Sequence, residues 1–473
     1  MYACPSCGAG LRYDIASQKL VCDYCQTSLP PEHFEALQGS KEEAYFEATR
    51  YTCTQCGAEL VSPDNTAATF CSFCGSSTLL EGRLSNEKKP DHIIPFKKTK
   101  KDCAKAYTDM MKHAWFAPDE LKDVSKIDGF RGIYMPYWIY EVSHDGAFSL
   151  NAQTQHRSGN YDITRYYKLS GEIDAGYLGM SHDASVEFSD DISEGLAPYN
   201  IKEMQDFQGS YLSGFYADIS DVDPSLYSKE ALDFANGMSI QNVRNAMEFR
   251  KYYITDSTNI AAPPFHSKLE KPKYALFPVW FMSYRNKDRI AYVSINGQTG
   301  QISADIPVDI KKYVTYSLLL TIPLFLFFQF FMMLNAGSLL TICSILSILA
   351  LVFSVSEIRK IQAKDLGLTD KGLQSQQKAK EKAPSVFSAI RHRILHKHEL
   401  AGIFMTFVSL LINLGVSVWN PVSDMFYYAA AILSIICTCF GMIDVMKDHN
   451  VLVTRKLPQF NREGGDDSAQ NLV

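Results

Sequence analysis

Two four-cysteine sets govern what the first 82 residues of this chain can become. Cys4-x2-Cys7 is followed after fourteen residues by Cys22-x2-Cys25, and Cys53-x2-Cys56 after another fourteen by Cys71-x2-Cys74. Segments of about 25 residues cannot build an apolar core of their own, so something must stand in for it. A Cys-x2-Cys turn sets two thiolates on one side of a tight knuckle, and two knuckles on facing hairpins complete a tetrahedron. Zn2+ takes that S4 geometry at roughly 2.3 Å per bond. Two structural zinc sites are therefore expected, with iron in a rubredoxin-like site as the chemical competitor. Protein ligands fill all four positions of each set, which is the mark of a structural rather than a catalytic metal.

Details around the cysteines support the same geometry. Gly8, Gly57 and Gly75 follow the second cysteine of three knuckles, where a glycine lets the chain turn back and aim backbone N–H groups at sulfur. The Cys22–Cys25 knuckle departs, with Gln26 in that place. Tyr24 and Phe73, inside the second knuckle of each set, are expected to pack against the metal knuckle. Cys103 falls on a helical stretch, and Cys343, Cys437 and Cys439 fall in apolar runs; none is expected to be a ligand.

The last third of the chain reads as membrane. Residues 313–334 and 338–355 carry no charge, and each is long enough to cross a hydrocarbon core of about 30 Å. Asn335, Ala336 and Gly337 alone separate them, so they form a tight helical hairpin. A second pair, 401–419 and 425–443, is joined by "NPVSD" and diluted by Asn413. The 357–400 loop has ten Lys/Arg against five acidic residues, Lys311 and Lys312 precede the first span, and "KDHNVLVTRK" follows the fourth. The two short connections contain no basic residue. Positive-inside bias then places both termini and the 357–400 loop in the cytoplasm, in a multi-pass protein of the cell (plasma) membrane. No secretory signal is visible at the start. A reducing compartment disfavours disulfides for the cysteine sets.

Between ribbons and membrane lies β-rich text. "GIYMPYWIYEV", "GAFSLNAQ", "DITRYYKLSGEI" and "RIAYVSINGQTGQIS" are aromatic or β-branched and largely alternating, and "INGQTGQI" predicts a hairpin turn at Asn-Gly. Residues 100–117 and 223–253 have helical character, the second with Asp223 as N-cap and Pro224 in the first turn. "MPYWIYEVS" from Met135 and "FPVWFMSYR" from Phe277 share a Pro-x-Trp followed by an apolar strand, and "LNAQTQ" and "INGQTG" match downstream. These are either two related strand–hairpin units facing each other or two unrelated hairpins with similar edges.

Charge bears on the partner. The whole chain is at −6, but residues 1–82 alone hold four basic against ten acidic residues. Eight thiolates around two dications make that segment more negative still. Phosphate-backbone affinity comes from basic residues displacing counterions, so nucleic acid is disfavoured. The basic run at 83–101 suits anionic lipid headgroups as well as it suits RNA, or a solvated linker. No phosphate-cradling Gly-rich loop, H-E-x-x-H or triad spacing is present. His144, His156 and His182, with Asp145, Asp174 and Asp183, read as loop or surface residues, and "HRILHKH" (392–398) as positive-inside charge. The chain is not expected to be an enzyme.

The phrases "CPSCG…CDYC", "CTQCG…CSFC", "PDHIIPF", "GIYMPYWIYE", "YLSGFYADISDVD", "ALFPVWFMSYR" and "INGQTGQISADIPVD" resemble those of bacterial double-zinc-ribbon membrane proteins of the YdjG-like kind. Their ribbons are of the TFIIB/rubredoxin-like type and often carry helicase-related labels, which no helicase motif here justifies. The resemblance implies an adaptor at the membrane associated with PspA-like or SPFH-type proteins. The ligands it carries over are Cys4, Cys7, Cys22, Cys25, Cys53, Cys56, Cys71 and Cys74.

The expected fold is multidomain: two small zinc ribbons, a soluble, β-rich α+β domain, and an α-helical membrane domain of four transmembrane helices. Its parts are ribbon 1 (1–28), a connector (29–51), ribbon 2 (52–82), a basic linker and helix (83–128) and the cytoplasmic α+β domain with its possible internal repeat (129–310). A first transmembrane hairpin (313–356), a basic cytoplasmic loop (357–400), a second hairpin (401–446) and a cytoplasmic tail (447–473) complete it. The expected function is a cytoplasm-facing, zinc-binding adaptor or scaffold anchored in the lipid bilayer and docking protein partners. The alternatives are a membrane-tethered nucleic-acid-binding regulator and a thiol or metal sensor.

Overall fold

The computed structural model describes residues 2–38, 45–62, 71, 73–74, 76, 79–122, 129–186, 188–256, 265–286, 289–331, 335–365, 370–372 and 401–456. The basic motif at 392–398 and most of the 357–400 loop lie outside these residues.

The N-terminal part contains β1 (Leu11–Asp14), β2 (Lys19–Cys22), β3 (Ser28–Leu29), α1 (Pro31–Gln38), β4 (Tyr45–Cys53), β5 (Glu59–Ser62), β6 (Leu79–Lys88) and β7 (His92–Ile93). Then come α2 (Lys100–His113), α3 (Asp119–Lys122), β8 (Arg131–Ser158), β9 (Tyr161–Asp183), α4 (Asp190–Leu196), β10 (Gln205–Asp206), β11 (Tyr216–Ala217) and α5 (Ser228–Asn245). β12 (Tyr253–Ile254), β13 (His266–Leu269), β14 (Lys273–Asn286), β15 (Arg289–Asn296) and β16 (Ile302–Ala304) complete the soluble strands. The apolar end comprises α6 (Ile310–Phe331), α7 (Ala336–Asp365), α8 (Ala401–Trp419) and α9 (Asp424–Val453), closed by β17 (Arg455–Lys456).

β1, β2 and β3 form a small sheet, and the remaining strands form one 14-stranded sheet. Its spine is β8 antiparallel to β14, with Met135 opposite Phe277, Pro136 opposite Leu276 and Tyr134 opposite Pro278. The two Pro-x-Trp segments thus lie against each other about a local two-fold. Each indole donates to a backbone carbonyl, Trp138 to Val222 at 2.8 Å and Trp280 to Lys98 at 2.7 Å. Downstream the two segments differ. Residues 150–155 run on inside β8, whereas 297–300 turn the chain from β15 to β16. That turn is a four-residue loop with left-handed backbone at Gly300 (φ +85°) instead of a two-residue Asn-Gly turn. Asn296 sets it, its Oδ1 accepting from the N–H groups of Gln298 and Thr299.

Residues 133–140 of β8 are buried throughout, so alternation here sorts residues between two cores rather than between core and water. Tyr134, Trp138, Tyr140 and Val142 join a cluster with Leu11, Tyr13 and Leu20 of the first ribbon and Cys103, Tyr107 and Met111 of α2. Ile133, Met135, Tyr137 and Ile139 join Cys53, Cys56, Cys71 and Cys74. The two cysteine units therefore serve opposite faces of β8.

The expected helices form within narrower bounds, the first from residue 100 as expected and the second starting later. Thr99 and Asp102 make a reciprocal capping box ahead of α2. α5 begins at Ser228 because Asp223 caps the preceding turn, its Oδ1 accepting from Ser225 N–H. The stretch expected as a connector, 29–51, carries α1 and most of β4.

Among the described residues, three helices rather than the expected four are long and apolar enough to cross a membrane: Ala336–Lys364, Gly402–Trp419 and Asp424–Val453. The run expected to be the first span forms α6, and residues 332–334 lie outside the described set. Asn413, placed in α8, donates to the hydroxyls of Ser344 and Ser434, and Ser347 bonds Ser434 and Thr438. Polar side chains that would weaken a lone span instead join three of them.

The apolar helices are fastened to the sheet without a linker. β17 pairs β15, Arg289 opposite Lys456. Arg289 donates to Thr454 Oγ1 at 2.6 Å, and Asn450 exchanges two bonds with Val308, at 2.7 and 2.8 Å.

Candidate metal centres

In the first unit the knuckle Cys4–Cys7 precedes β1 and Cys22–Cys25 ends β2, with Leu11 opposite Cys22 in register. The hairpin between them closes on Asp14, whose carboxylate accepts from Ser17 N–H and hydroxyl. Sγ–Sγ distances are 3.6 Å for Cys4–Cys25 and 3.5 Å for Cys7–Cys22. In the second unit, Cys53 ends β4, Cys56 follows it, and Cys53–Cys74 and Cys56–Cys71 are 3.5 and 3.7 Å apart. All four sulfurs in each set lie within 4.8 Å of one another.

Those distances test what the sites can hold. A tetrahedron with bonds of about 2.3 Å has sulfur–sulfur edges of roughly 3.8 Å, close to what both sets present. A disulfide needs about 2.05 Å, so neither set is a pair of bridges. The backbone repeats as well. The first cysteine of each knuckle donates its N–H to the carbonyl five residues on: Cys4 to Ala9, Cys22 to Thr27, Cys53 to Ala58 and Cys71 to Ser76. Gly8 and Gly57 turn at φ +75° and +82°, and Gln26 takes the same left-handed conformation at +62°. The knuckle without glycine thus closes like the others. Packed thiols of this kind cannot all ionise unaided, and Cys56 and Cys71 are pushed up, chiefly by Cys53. Bound divalent metal removes that conflict by taking four thiolates at once. Among the described residues, only these two sets bring three or more His, Cys, Asp or Glu ligand atoms together.

The surroundings of the two sets differ. Cys4 and Cys22 are buried, while Cys7 and Cys25 are exposed. The Thr27 hydroxyl and N–H hold the exposed Cys25 thiol down to about 6. Tyr24 stands 84 % exposed beside it, against the expectation that it packs on the knuckle. The opposite face of this unit is seated firmly: Tyr13 N–H bonds Ser213 O, Gln18 Nε2 bonds Phe96 O, and the Tyr13 and Tyr211 rings meet edge to face.

All four cysteines of the second unit are buried. Its strands belong to the large sheet, β4 pairing β5 and β6, and β5 pairing β11. Arg50 on β4 binds Glu59 on β5 and Glu87 on β6, each at 2.8 Å, so one guanidinium ties three strands. Phe73 packs as expected, buried against Phe281, and its carbonyl accepts from the Tyr292 hydroxyl at 2.7 Å. Arg455 of β17 lies over the Tyr292 ring at 5.5 Å. Nothing in the sequence singled out Tyr292 or Arg455; their partners come from elements far away in the chain.

No family model matches the chain, and no solved structure matches it. One curated protein does. It is "Uncharacterized protein YdjG" of Bacillus subtilis (strain 168), 27 % identical over 322 residues, covering 67 % of this chain and 92 % of that protein. The chain is thus a relative of YdjG, in keeping with the resemblance read from its ribbon and Pro-x-Trp phrases.

The other singled-out residues gather at no second centre. Cys103, Cys343 and Cys437 are buried apart from the sets, and Cys439 is exposed on α9. His156, Asp145 and Asp174 are exposed. His144 is corrected from surface to core, bonding Ser239 at 2.7 Å, and His182 from surface to half-buried, stacking on Tyr227 at 4.4 Å. Burial lowers the pKa of both. Asp183 is also buried, and burial first, then Asp190, pushes its carboxyl well up. The lysines of 88–101 turn partly inward, Lys88 over the Trp138 ring at 5.0 Å and Lys97 to Glu203 at 2.8 Å.

Proposed function

We propose that the chain is a zinc-folded adaptor at the cell membrane, with α6 to α9 as four spans and the soluble part, both termini and the 357–400 loop in the cytoplasm. The observation that carries the reading is the outward face of the first ribbon. A unit seated rigidly on the sheet presents Tyr24, Cys7 and Cys25 to solvent. A fixed surface with an exposed aromatic residue suits docking to another protein. Four cysteine ligands per site leave no open coordination position for catalysis, in line with a non-enzymatic role. For α6, the uncharged run 313–331 behind Lys311 and Lys312 supports a span entering from a basic, cytoplasmic side. Resemblance to YdjG-like proteins points to PspA-like or SPFH-type partners, and the acidity of residues 1–82 argues against nucleic acid.

The test uses full-length protein purified from detergent-solubilised membranes, with Tyr24→Ala and Cys25→Ser beside the unchanged chain. Both variants should remain in the membrane fraction and lose co-purifying proteins; retention of every partner by both sinks the adaptor reading. Metal analysis should find two zinc per chain, and iron in their place would reassign the sites. The exposure of Cys7 and Cys25 favours a second reading, a thiol sensor in the first ribbon. It requires one zinc to be lost at peroxide doses that cells experience.

A further inference from the structure

β9 poses a problem that β8 does not. β8 is paired on both edges, by β14, β13 and β12 on one side and by β9 on the other along most of its length. β9 is 23 residues long, and among the described residues it pairs with β8 alone. Its register against β8 runs without a shift from Tyr161 to Tyr177; the single irregularity comes after that, beside Gly179 (φ +83°). The uninterrupted stretch spans roughly 55 Å. Such an edge presents a row of N–H and C=O groups ready to pair with another strand. Proteins blunt edges of this kind with short strands, prolines or bulges. Between Tyr161 and Tyr177 there is no proline, and the strand is neither short nor bulged.

We propose that this edge pairs with the same edge of a second copy of the chain, antiparallel and two-fold about Ser170. The sequence of the strand is self-complementary in that register. Lys168 falls opposite Glu172 of the second copy, and Tyr166 opposite Asp174, each twice by symmetry. On the other face Tyr167 meets Ile173 and Ile163 meets Tyr177, aromatic against β-branched, the cross-strand pairs that stabilise sheets. Centring one residue earlier, on Leu169, sets Lys168 against Ser170 and Glu172 against Tyr166 and loses the charge pairs.

The two faces of β9 fit this use. Lys168, Glu172 and Asp174 are exposed. Leu169 is buried, and Ile173 packs on the same cluster with Ile240 and Val243 of α5. Tyr167 meets the Tyr252 ring at 4.8 Å, and the Tyr177 hydroxyl is bound to Ser239. Pairing would therefore extend a small existing core from one copy into the next while matching charges on the solvent side. A two-fold contact of this kind closes on itself and stops at a dimer, which an open edge would not.

The experiment uses the full-length chain reconstituted in lipid nanodiscs and in native membranes. Ser170→Cys brings its own counterpart within the reach of a disulfide, whereas Asp162→Cys lies roughly 50 Å from its counterpart along the paired strands. Mild oxidation should cross-link the first as a dimer and not the second. Lys168→Glu sets like charges opposite each other twice and should weaken the dimer about tenfold or more; Lys168→Glu with Glu172→Lys should restore it. Absence of the Ser170→Cys cross-link overturns the proposal. So does a dimer indifferent to the single charge reversal, which would place the contact elsewhere, for example among the apolar helices.

Discussion

The two ribbons share one cysteine spacing and one set of knuckle hydrogen bonds, and then part ways. The first is a unit of three short strands set on the surface, joined to the sheet through Tyr13, Gln18 and Tyr211, with half its sulfurs exposed. The second has lent its strands to the 14-stranded sheet, and its sulfurs are buried among residues of β8, β14 and β15. The local motif is the same; what it holds together is not. Metal bound in the first ribbon would fold a surface, while metal bound in the second would hold a core.

The largest expected effect would break that comparison outright. Structural Zn2+ contributes on the order of 10 kcal/mol to small sites, as much as the whole stability of an ordinary domain, about 5–15 kcal/mol. Cys53→Ser should therefore yield no monodisperse, protease-resistant protein by detergent size exclusion and limited proteolysis. Cys25→Ser should keep the fold while zinc content falls from two to one per chain. If both variants fold, or neither does, the division between the ribbons is wrong.

Asp218 sharpens the second ribbon's side. It follows β11, the strand between β5 and β8, and donates its N–H to Tyr134 O. Burial pushes its carboxyl up to about 7, and one oxygen has no hydrogen-bond partner. An acid whose pKa is raised on folding favours the folded state at low pH, and that advantage is lost as pH rises from about 4 to about 7. Asp218→Asn should flatten this slope and raise stability at pH 8, by at most about 4 kcal/mol. Thermal unfolding followed from pH 5 to pH 8 checks both the sign and the slope.

Chelation gives a smaller, kinetic contrast. A strong chelator reaches the first ribbon by local opening, but reaches the second only by opening the sheet. Zinc release from the native protein should be biphasic, with phases separated about tenfold or more, and Cys25→Ser should remove the fast one. Least of all, Tyr292→Phe removes the hydroxyl bound to Phe73 O and should cost about 1 kcal/mol. It should speed the slow phase and leave the fast phase as it was.

The cysteine sets were legible in the sequence because a metal site is a local pattern. Spacing and knuckle geometry lie within some twenty residues, and Gln26 shows that the pattern tolerates a missing glycine. The apolar runs were legible for a similar reason, although only three meet the measure among the described residues. The unequal burial of the ribbons was not, since it depends on β5 joining β11, more than a hundred residues away. His144 and His182 misled in the same manner: alternation along β8 and β9 was visible, but not that both faces there are covered. Tyr24 and Phe73 occupy equivalent positions in the knuckles, yet one meets water and the other Phe281, and no local rule separates them.

One junction has a mechanical consequence. α9 ends at Val453 and β17 begins at Arg455, with Thr454 alone between them, and Asn450 ties the same helix to the segment leading into α6. A joint so short has no slack. Helices answer a change in bilayer thickness by tilting, and a tilt of α9 would be delivered to β15 as a rotation of the strand beside it. Tyr292, on that strand, touches the knuckle of the buried ribbon. The sheet would then move with the membrane as the pointer of a gauge moves with its spindle.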